Sequence, residues 1–176
     1  MTDGHPPESN AGTLEVALHL PGLSDEEIIA LRAFVEVEMR RRGIALSVGA
    51  FGEQLAIDHF RSASGLPKLQ RAPTGTKNVD ALSRDGDRYS IKTVCNGKKT
   101  GTVYPDSENQ DKQLFEHLLI VRISPSWALL SIHQLNWASF KAVRSWDKRM
   151  NAWYVPISKR ALSSGIKIYE AQPAVA

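Results

Sequence analysis

The sequence reads as one α/β domain over residues 14–176, a mixed β-sheet flanked by helices, with an extra N-terminal helix and a polar tail over residues 1–13. Three observations lead there. Stretches with apolar residues at helical spacing stand ahead of stretches that alternate as strands do. The segment Thr76–Val94 pairs as a hairpin with one apolar face. The run His117-Leu118-Leu119-Ile120-Val121-Arg122-Ile123 is apolar on both faces, as a central strand covered on both sides must be. At 176 residues the chain can bury a core unaided.

Residues 1–12 are polar, contain Pro6-Pro7, and are expected to be disordered. Leu14–Leu20 alternates well enough for a short strand, and Pro21-Gly22 turns the chain. Ser24-Asp25-Glu26-Glu27 is a capping box, with the acids suited to a helix start. The helix it opens carries Ile28, Leu31, Phe34, Val35 and Met39 on its packed face. Arg40-Arg41-Arg42 suits the negative end of the dipole, or could touch phosphate, and Gly43 stops the helix.

A second helix runs from Ser47 to Ser62, burying Phe51, Leu55 and Phe60, while Gly49 and Gly52 admit another backbone. A short strand falls near Leu69–Ala72. Beyond the hairpin, Asn96–Gly101 is a mobile basic loop and Asp111–Glu116 a short helix. The strand His117–Ile123 follows, then a turn at Ser124-Pro125-Ser126 and a strand Trp127–His133. Ser158–Ser164 is a capped helix ending at Gly165, and Ile166–Tyr169 is the closing strand.

The hairpin carries the chemistry. A three-residue loop, Arg84-Asp85-Gly86, sets Ser83 opposite Asp87, Ala81 opposite Tyr89 and Val79 opposite Ile91. A two-residue turn would place Asp80 opposite Ile91 and break the apolar face, so the pattern selects the longer loop. Because side chains alternate, Asp80, Ser90 and Lys92 then share the other face. Taken alone, a carboxylate and a lysine so placed are an ordinary cross-strand ion pair or the start of a site.

An Asp, about ten residues, then x-Lys behind a hairpin, preceded by a helix with Gly49-Ala50-Phe51-Gly52-Glu53, resembles the PD-(D/E)xK nuclease superfamily, the restriction-endonuclease-like fold. The resemblance spans Val48–His133. Two departures are visible: Asn78-Val79 stands where the family has proline before the Asp, and Ser90 stands where it has an acid. The resemblance implies a metal-dependent nuclease acting on DNA. Mg²⁺ or Mn²⁺ would be held by Asp80, Glu53 and the carbonyl of Ile91. Lys92 would orient the attacking water, and Ser90 would offer a hydroxyl. An acid from Asp106, Glu108, Asp111 or Glu116 could stand in for the missing one. A module of the same fold that binds nucleic acid without cutting it is the second reading. A third is an unrelated α/β protein that binds a small ligand.

Charge is uneven. Residues 1–43 hold four basic against eight acidic residues, residues 44–133 eleven against nine, and residues 134–176 seven against two. The basic C-terminal third interleaves Trp137, Phe140, Trp146, Trp153 and Tyr154 with cations. Such a surface can stack on bases while its cations meet phosphates, or the tryptophans can simply close the core. Lys98, Lys99, Arg144, Trp146, Lys148 and Arg149 are the nucleic-acid contacts this predicts, with Trp146 the most exposed aromatic. Cys95 is alone, which leaves no disulfide and no cysteine zinc site, and the five histidines lack ligand spacing. No apolar run reaches the roughly 18–20 residues of a membrane span, and Met1–Asn10 lacks a signal-peptide core. The expectation is a cytoplasmic protein, able to form a homodimer, with no membrane partner.

Overall fold

The computed structural model describes residues 20–44 and 47–172. The strand expected over Leu14–Leu20 lies outside these residues except for Leu20, which opens a turn of 3₁₀ helix, Leu20–Gly22. Backbone contacts divide the chain into two units, Met1–Ile44 and Ala45–Ala176.

In the first unit, helix α1 (Asp25–Arg41) begins at the predicted capping box. Ser24 Oγ accepts from Glu27 N–H, and the Glu27 carboxylate accepts from Ser24 N–H at 2.8 Å. It ends where Gly43 takes φ 67°, with Gly43 N–H donating to the Arg40 carbonyl and Ile44 N–H to the Met39 carbonyl, a Schellman closure. Arg41 and Arg42 both donate to Glu38, so the arginine run is tied to its own helix. No α1 residue is buried, and Phe34, expected on a packed face, is 74% exposed.

The second unit is a mixed α/β fold around one six-stranded sheet. Helix α2 (Val48–Ser62) precedes β1 (Gln70–Arg71), β2 (Ala81–Leu82), β3 (Arg88–Cys95), β4 (His117–Ile123) and β5 (Leu129–Asn136). Helix α3 (Trp137–Val143), strands β6 (Ser145–Asp147) and β7 (Ala152–Tyr154), helix α4 (Lys159–Ser163) and β8 (Ile166–Glu170) complete it. The sheet order is β1-β2-β3-β4-β5-β8, with β6 and β7 as a separate ribbon. Only β3 and β4 run parallel; the other neighbours are antiparallel. One face packs Tyr89, Ile91, Leu119 and Val121 against Ala56, Ile57 and Phe60 of α2. The other packs Val94, Leu118 and Ile120 against Phe140, Ala161, Val103, Phe115 and Val155. Among the described residues no helix is long and apolar enough to cross a membrane.

From Ala81 to Asp87 the hairpin register is the one the apolar pattern requires, but the expected pairing of Val79 with Ile91 does not form. Ala81 pairs with Tyr89, Ser83 N–H donates to the Asp87 carbonyl, and Gly86 takes φ 90° in the loop. Its first strand is shorter than expected, because Asn78 turns the chain at φ 61° and pairing starts only at Ala81.

Asp111–Glu116 is not a helix. Charges from elsewhere hold its side chains: Asp111 accepts from Arg144 and Glu116 from Arg88, so a six-residue helix with few internal contacts loses to tertiary pairing. The parallel crossover from β3 to β4 therefore contains no helix. Asn96–Gly101 is pinned, not free: Thr100 N–H donates to the Val155 carbonyl at 2.9 Å, and Ile157 N–H to the Lys98 carbonyl at 2.8 Å.

Candidate active site

The predicted residues Asp80, Ser90, Ile91 and Lys92 meet where β2 and β3 part. Asp80 lies just before β2 and is clamped through its backbone. Its N–H donates to the Tyr89 carbonyl at 2.8 Å, and its carbonyl accepts from Ala72 N–H at 3.0 Å. So held, the carboxylate turns onto the edge of β3. Oδ2 accepts from the Ile91 N–H at 2.6 Å and from the Ser90 hydroxyl at 3.3 Å, and lies 3.7 Å from Lys92 Nζ. Oδ1 has no hydrogen-bond partner among the described residues. Ile91 presents its N–H at this edge, and within a strand a residue's carbonyl shares the edge of its N–H. Ser90 is fully buried, while the Asp80 and Lys92 side chains are about one-fifth exposed, at 23% and 19%. A pair at that depth is less screened than a surface pair.

Glu53 comes to the same place from α2. The helix can lie close to β3 because residue 52 is glycine: a Cβ there would stand 2.0 Å from Thr93 Oγ1. Thr93 Oγ1 in turn donates to the Gly49 carbonyl at 3.3 Å. The close approach is thus made by Gly52 alone and to a side chain, whereas a Cβ on Gly49 meets nothing within 4 Å. Burial holds the Glu53 carboxyl above the usual range, the charge of Asp80 adds to that, and Arg71 and Lys92 pull it back. Two carboxylates thus feel each other across a half-buried edge.

Arg71 of β1 was not foreseen. It donates to Gln54 at 3.0 Å beside Glu53, and a lone arginine in a two-residue strand carries no sequence signal. The four acids expected to replace the absent one are engaged elsewhere or stay apart. Glu116 is bound by Arg88, Asp111 by Arg144 and Asp106 by Lys112, while Glu108 makes no side-chain bond among the described residues.

The donor set suits a hard divalent cation sparingly. Among the described residues no three His, Cys, Asp or Glu side chains stand together as a metal site. Asp80 Oδ1, the Glu53 carboxylate and the Ile91 carbonyl are all oxygens. Mg²⁺ commonly takes one or two carboxylates and keeps several waters, so this set fits a weakly held, largely hydrated ion.

The six predicted nucleic-acid contacts divide in two. Lys98, Lys148 and Arg149 are exposed. Arg144 is not: its side chain is 11% exposed, its guanidinium sits 3.9 Å from the centre of the Trp153 ring, and it donates to Asp111 at 2.8 Å. Lys99 is exposed as well, but it donates to Asp147 at 2.8 Å and stands over the Tyr154 ring. Trp146, expected as the exposed aromatic, is half-buried edge-on against Trp153, with ring centres 4.6 Å apart across the β6–β7 ribbon. The reason is local. Asp147 accepts from the N–H groups of Arg149 and Met150, and the hairpin this closes pairs the two tryptophans.

Set against known proteins, the chain matches no family model and no curated protein.

Proposed function

We propose that this chain is a divalent-metal-dependent nuclease with a restriction-endonuclease-like core that hydrolyses phosphodiester bonds in DNA. The observation that carries the reading is the convergence of Asp80, Lys92 and Ile91 within 3.7 Å at one sheet edge, with the helix that carries Glu53 laid against β3 at Gly52 and Thr93. The order helix, hairpin, then a parallel neighbour for the second hairpin strand supports this reading over Val48–His133, while the absence of the helix expected between β3 and β4 counts against it.

A bound Mg²⁺ or Mn²⁺ would offset the charge of the phosphate and acidify a water. Asp80 would hold it through Oδ1, since Oδ2 is already committed to Ile91 N–H and Ser90. Glu53 and the Ile91 carbonyl are the other protein donors. Lys92, anchored toward Asp80, keeps further N–H donors for a phosphate oxygen or for positioning the attacking water. Ser90 fixes Asp80 and is not itself a metal ligand. DNA cleavage should require Mg²⁺ or Mn²⁺ and fall by at least about 100-fold in Asp80→Asn and Lys92→Ala, with circular dichroism unchanged. Cleavage that survives both substitutions sinks the assignment.

One observation favours a second reading, a DNA-binding module without catalysis. Ser90 is fully buried and gives its hydroxyl to Asp80, so the strand contributes no second acid. DNA binding with no cleavage under any divalent ion, unchanged in Asp80→Asn, would select it.

A further inference from the structure

From the Asp80 edge the register sets a row of residues across four strands. Lys92 of β3 pairs with Ile120 of β4, Ile120 with His133 of β5, and His133 with Lys167 of β8. Strands lie about 4.8 Å apart, so His133 is roughly 10 Å from Lys92. Ile120, beneath the apolar cover of Phe140 and Ala161, separates the two. Beyond that cover lies a cavity of about 480 Å³ lined by Arg122, His133, Lys159, Lys167 and Glu170.

One lining residue, His133, and Ser131, two positions before it on β5, are both buried. His133 is 7% exposed and Ser131 2%, and neither His133 Nδ1 nor Ser131 Oγ has a hydrogen-bond partner among the described residues. The two alternate onto one face of β5, and Ser131 stands opposite Arg122 on β4 and Glu170 on β8. A buried polar atom without a partner costs roughly 1–3 kcal/mol, so His133 Nδ1, on a residue that lines the cavity, points to a ligand that satisfies it. The walls carry three cations against one carboxylate, Glu170, which is already paired with Lys167. Burial, with Arg122 and Lys167 beside it, holds the His133 ring below its ordinary pKa, while Glu170 and the Leu162 carbonyl oppose that shift.

We propose that this cavity binds the terminal phosphate of a phosphomonoester. Arg122 and Lys159 would supply charge-assisted donors, and the His133 ring, taking up a proton at Nδ1 as the anion binds, would add a third. The volume lies within the range of small-ligand sites and leaves room for a mononucleotide. The phosphate could belong to a free small ester or to the end of a polynucleotide, and the binding chemistry is the same.

The test is calorimetry on the full chain at constant ionic strength. The probes are inorganic phosphate, a 5′-mononucleotide, its nucleoside, and one oligodeoxynucleotide with and without a 5′-phosphate. Phosphate and the mononucleotide should bind, and the nucleoside should not. Arg122→Gln and Lys159→Gln, both at half-buried or exposed positions that the fold tolerates, should each weaken binding about tenfold, the loss of one charge-assisted hydrogen bond. The ring signals of His133 should move on phosphate addition, and in Arg122→Gln the same movement should need about ten times more phosphate. Asp80→Asn and Lys92→Ala should bind phosphate as the parent does, so this site stands or falls apart from the nuclease assignment. Tighter binding of the phosphorylated oligonucleotide than of the mononucleotide assigns the polynucleotide end; the reverse assigns a free ester. Equal binding of nucleoside and nucleotide, phosphate affinity unchanged in both glutamine variants, or the same heat from chloride overturns the proposal.

Discussion

Two parts of this molecule gather basic residues beside acids, and they differ in what is left over. At the β3 edge, Asp80 and Glu53 face Lys92 and Arg71, Asp80 keeps one free oxygen, and Glu53 is held above its ordinary pKa. In the β6–β7 ribbon, Arg144 is consumed by Asp111 and Trp153, and Lys99 by Asp147 and Tyr154. The first arrangement leaves a carboxylate oxygen open at a half-buried edge, while the second pairs its charges and leaves only Arg144 Nη1 and Trp153 Nε1 buried without a partner among the described residues there. A functional site is therefore better sought in charges that the fold leaves uncompensated than in their number.

The sharpest way to break the first region is through Gly52. Gly52→Ala improves helix propensity by about 1 kcal/mol, but its Cβ would stand 2.0 Å from Thr93 Oγ1 and must lift α2 from β3. A net loss of about 2 kcal/mol in urea unfolding is expected, recovered in part by adding Thr93→Ala. Gly49→Ala, which meets nothing, should not destabilise. Equal effects at the two glycines would disprove the close approach that brings Glu53 to the site.

In the second region stability and binding should separate. Arg144→Ala removes a buried cation–π contact and should cost about 1–2 kcal/mol, with little change in the salt dependence of DNA binding. Lys148→Ala with Arg149→Ala should leave stability within about 0.5 kcal/mol and flatten that salt dependence. If Arg144→Ala is neutral in unfolding yet lowers the slope, the ribbon is a binding surface after all.

The foot of the hairpin supplies a pH test. Three donors from Arg88 bring Glu116 down to about 2 from its ordinary 4.5. A lowered acid stabilises the fold above its unfolded pKa, so this contribution should be complete above about 4.5 and fade as pH falls toward about 2. The partners are 30% and 40% exposed, so solvent screening limits it to about 1 kcal/mol. Glu116→Gln should flatten acid unfolding over that window.

Glu53 has the opposite sign and the smallest effect. A raised carboxyl favours the neutral form in the fold, so its stabilising share is present at low pH and lost as pH rises through the folded value. Glu53→Gln should raise metal-free stability at neutral pH by less than about 1 kcal/mol while weakening Mg²⁺ or Mn²⁺ binding. Ser90→Glu should strengthen it. Calorimetric titrations that fail to separate the two variants from the parent remove the metal site.

The legible parts of this chain are those in which alternation and turn chemistry agree. Ala81, Tyr89 and Gly86 fixed the register near the turn; beyond it the expected Val79–Ile91 pair does not form, and Asp80 meets Ser90, Ile91 and Lys92 through its side chain. Ser24 and Gly43 bounded α1, and Ser158 capped α4. Illegible were features decided between distant segments. Arg88 and Arg144 captured the acids of the expected helix 111–116, the β6–β7 pairing hid Trp146, and the cavity around His133 draws its residues from three strands and a helix.

The helix-free crossover has a consequence for how the chain comes to be folded. Val103 exchanges both backbone hydrogen bonds with Trp153, and Thr100 bonds Val155 through backbone and hydroxyl. The only parallel pair of the sheet is therefore fastened by residues made about fifty positions later than the crossover it fastens. Closing contacts of such separation is slow relative to forming the hairpin next door. On a ribosome, Asp80 and Lys92 should meet early on a local hairpin, while the sheet beneath them waits for the ribbon. Chains arrested before residue 153 should show hairpin protection in hydrogen exchange with none in β4.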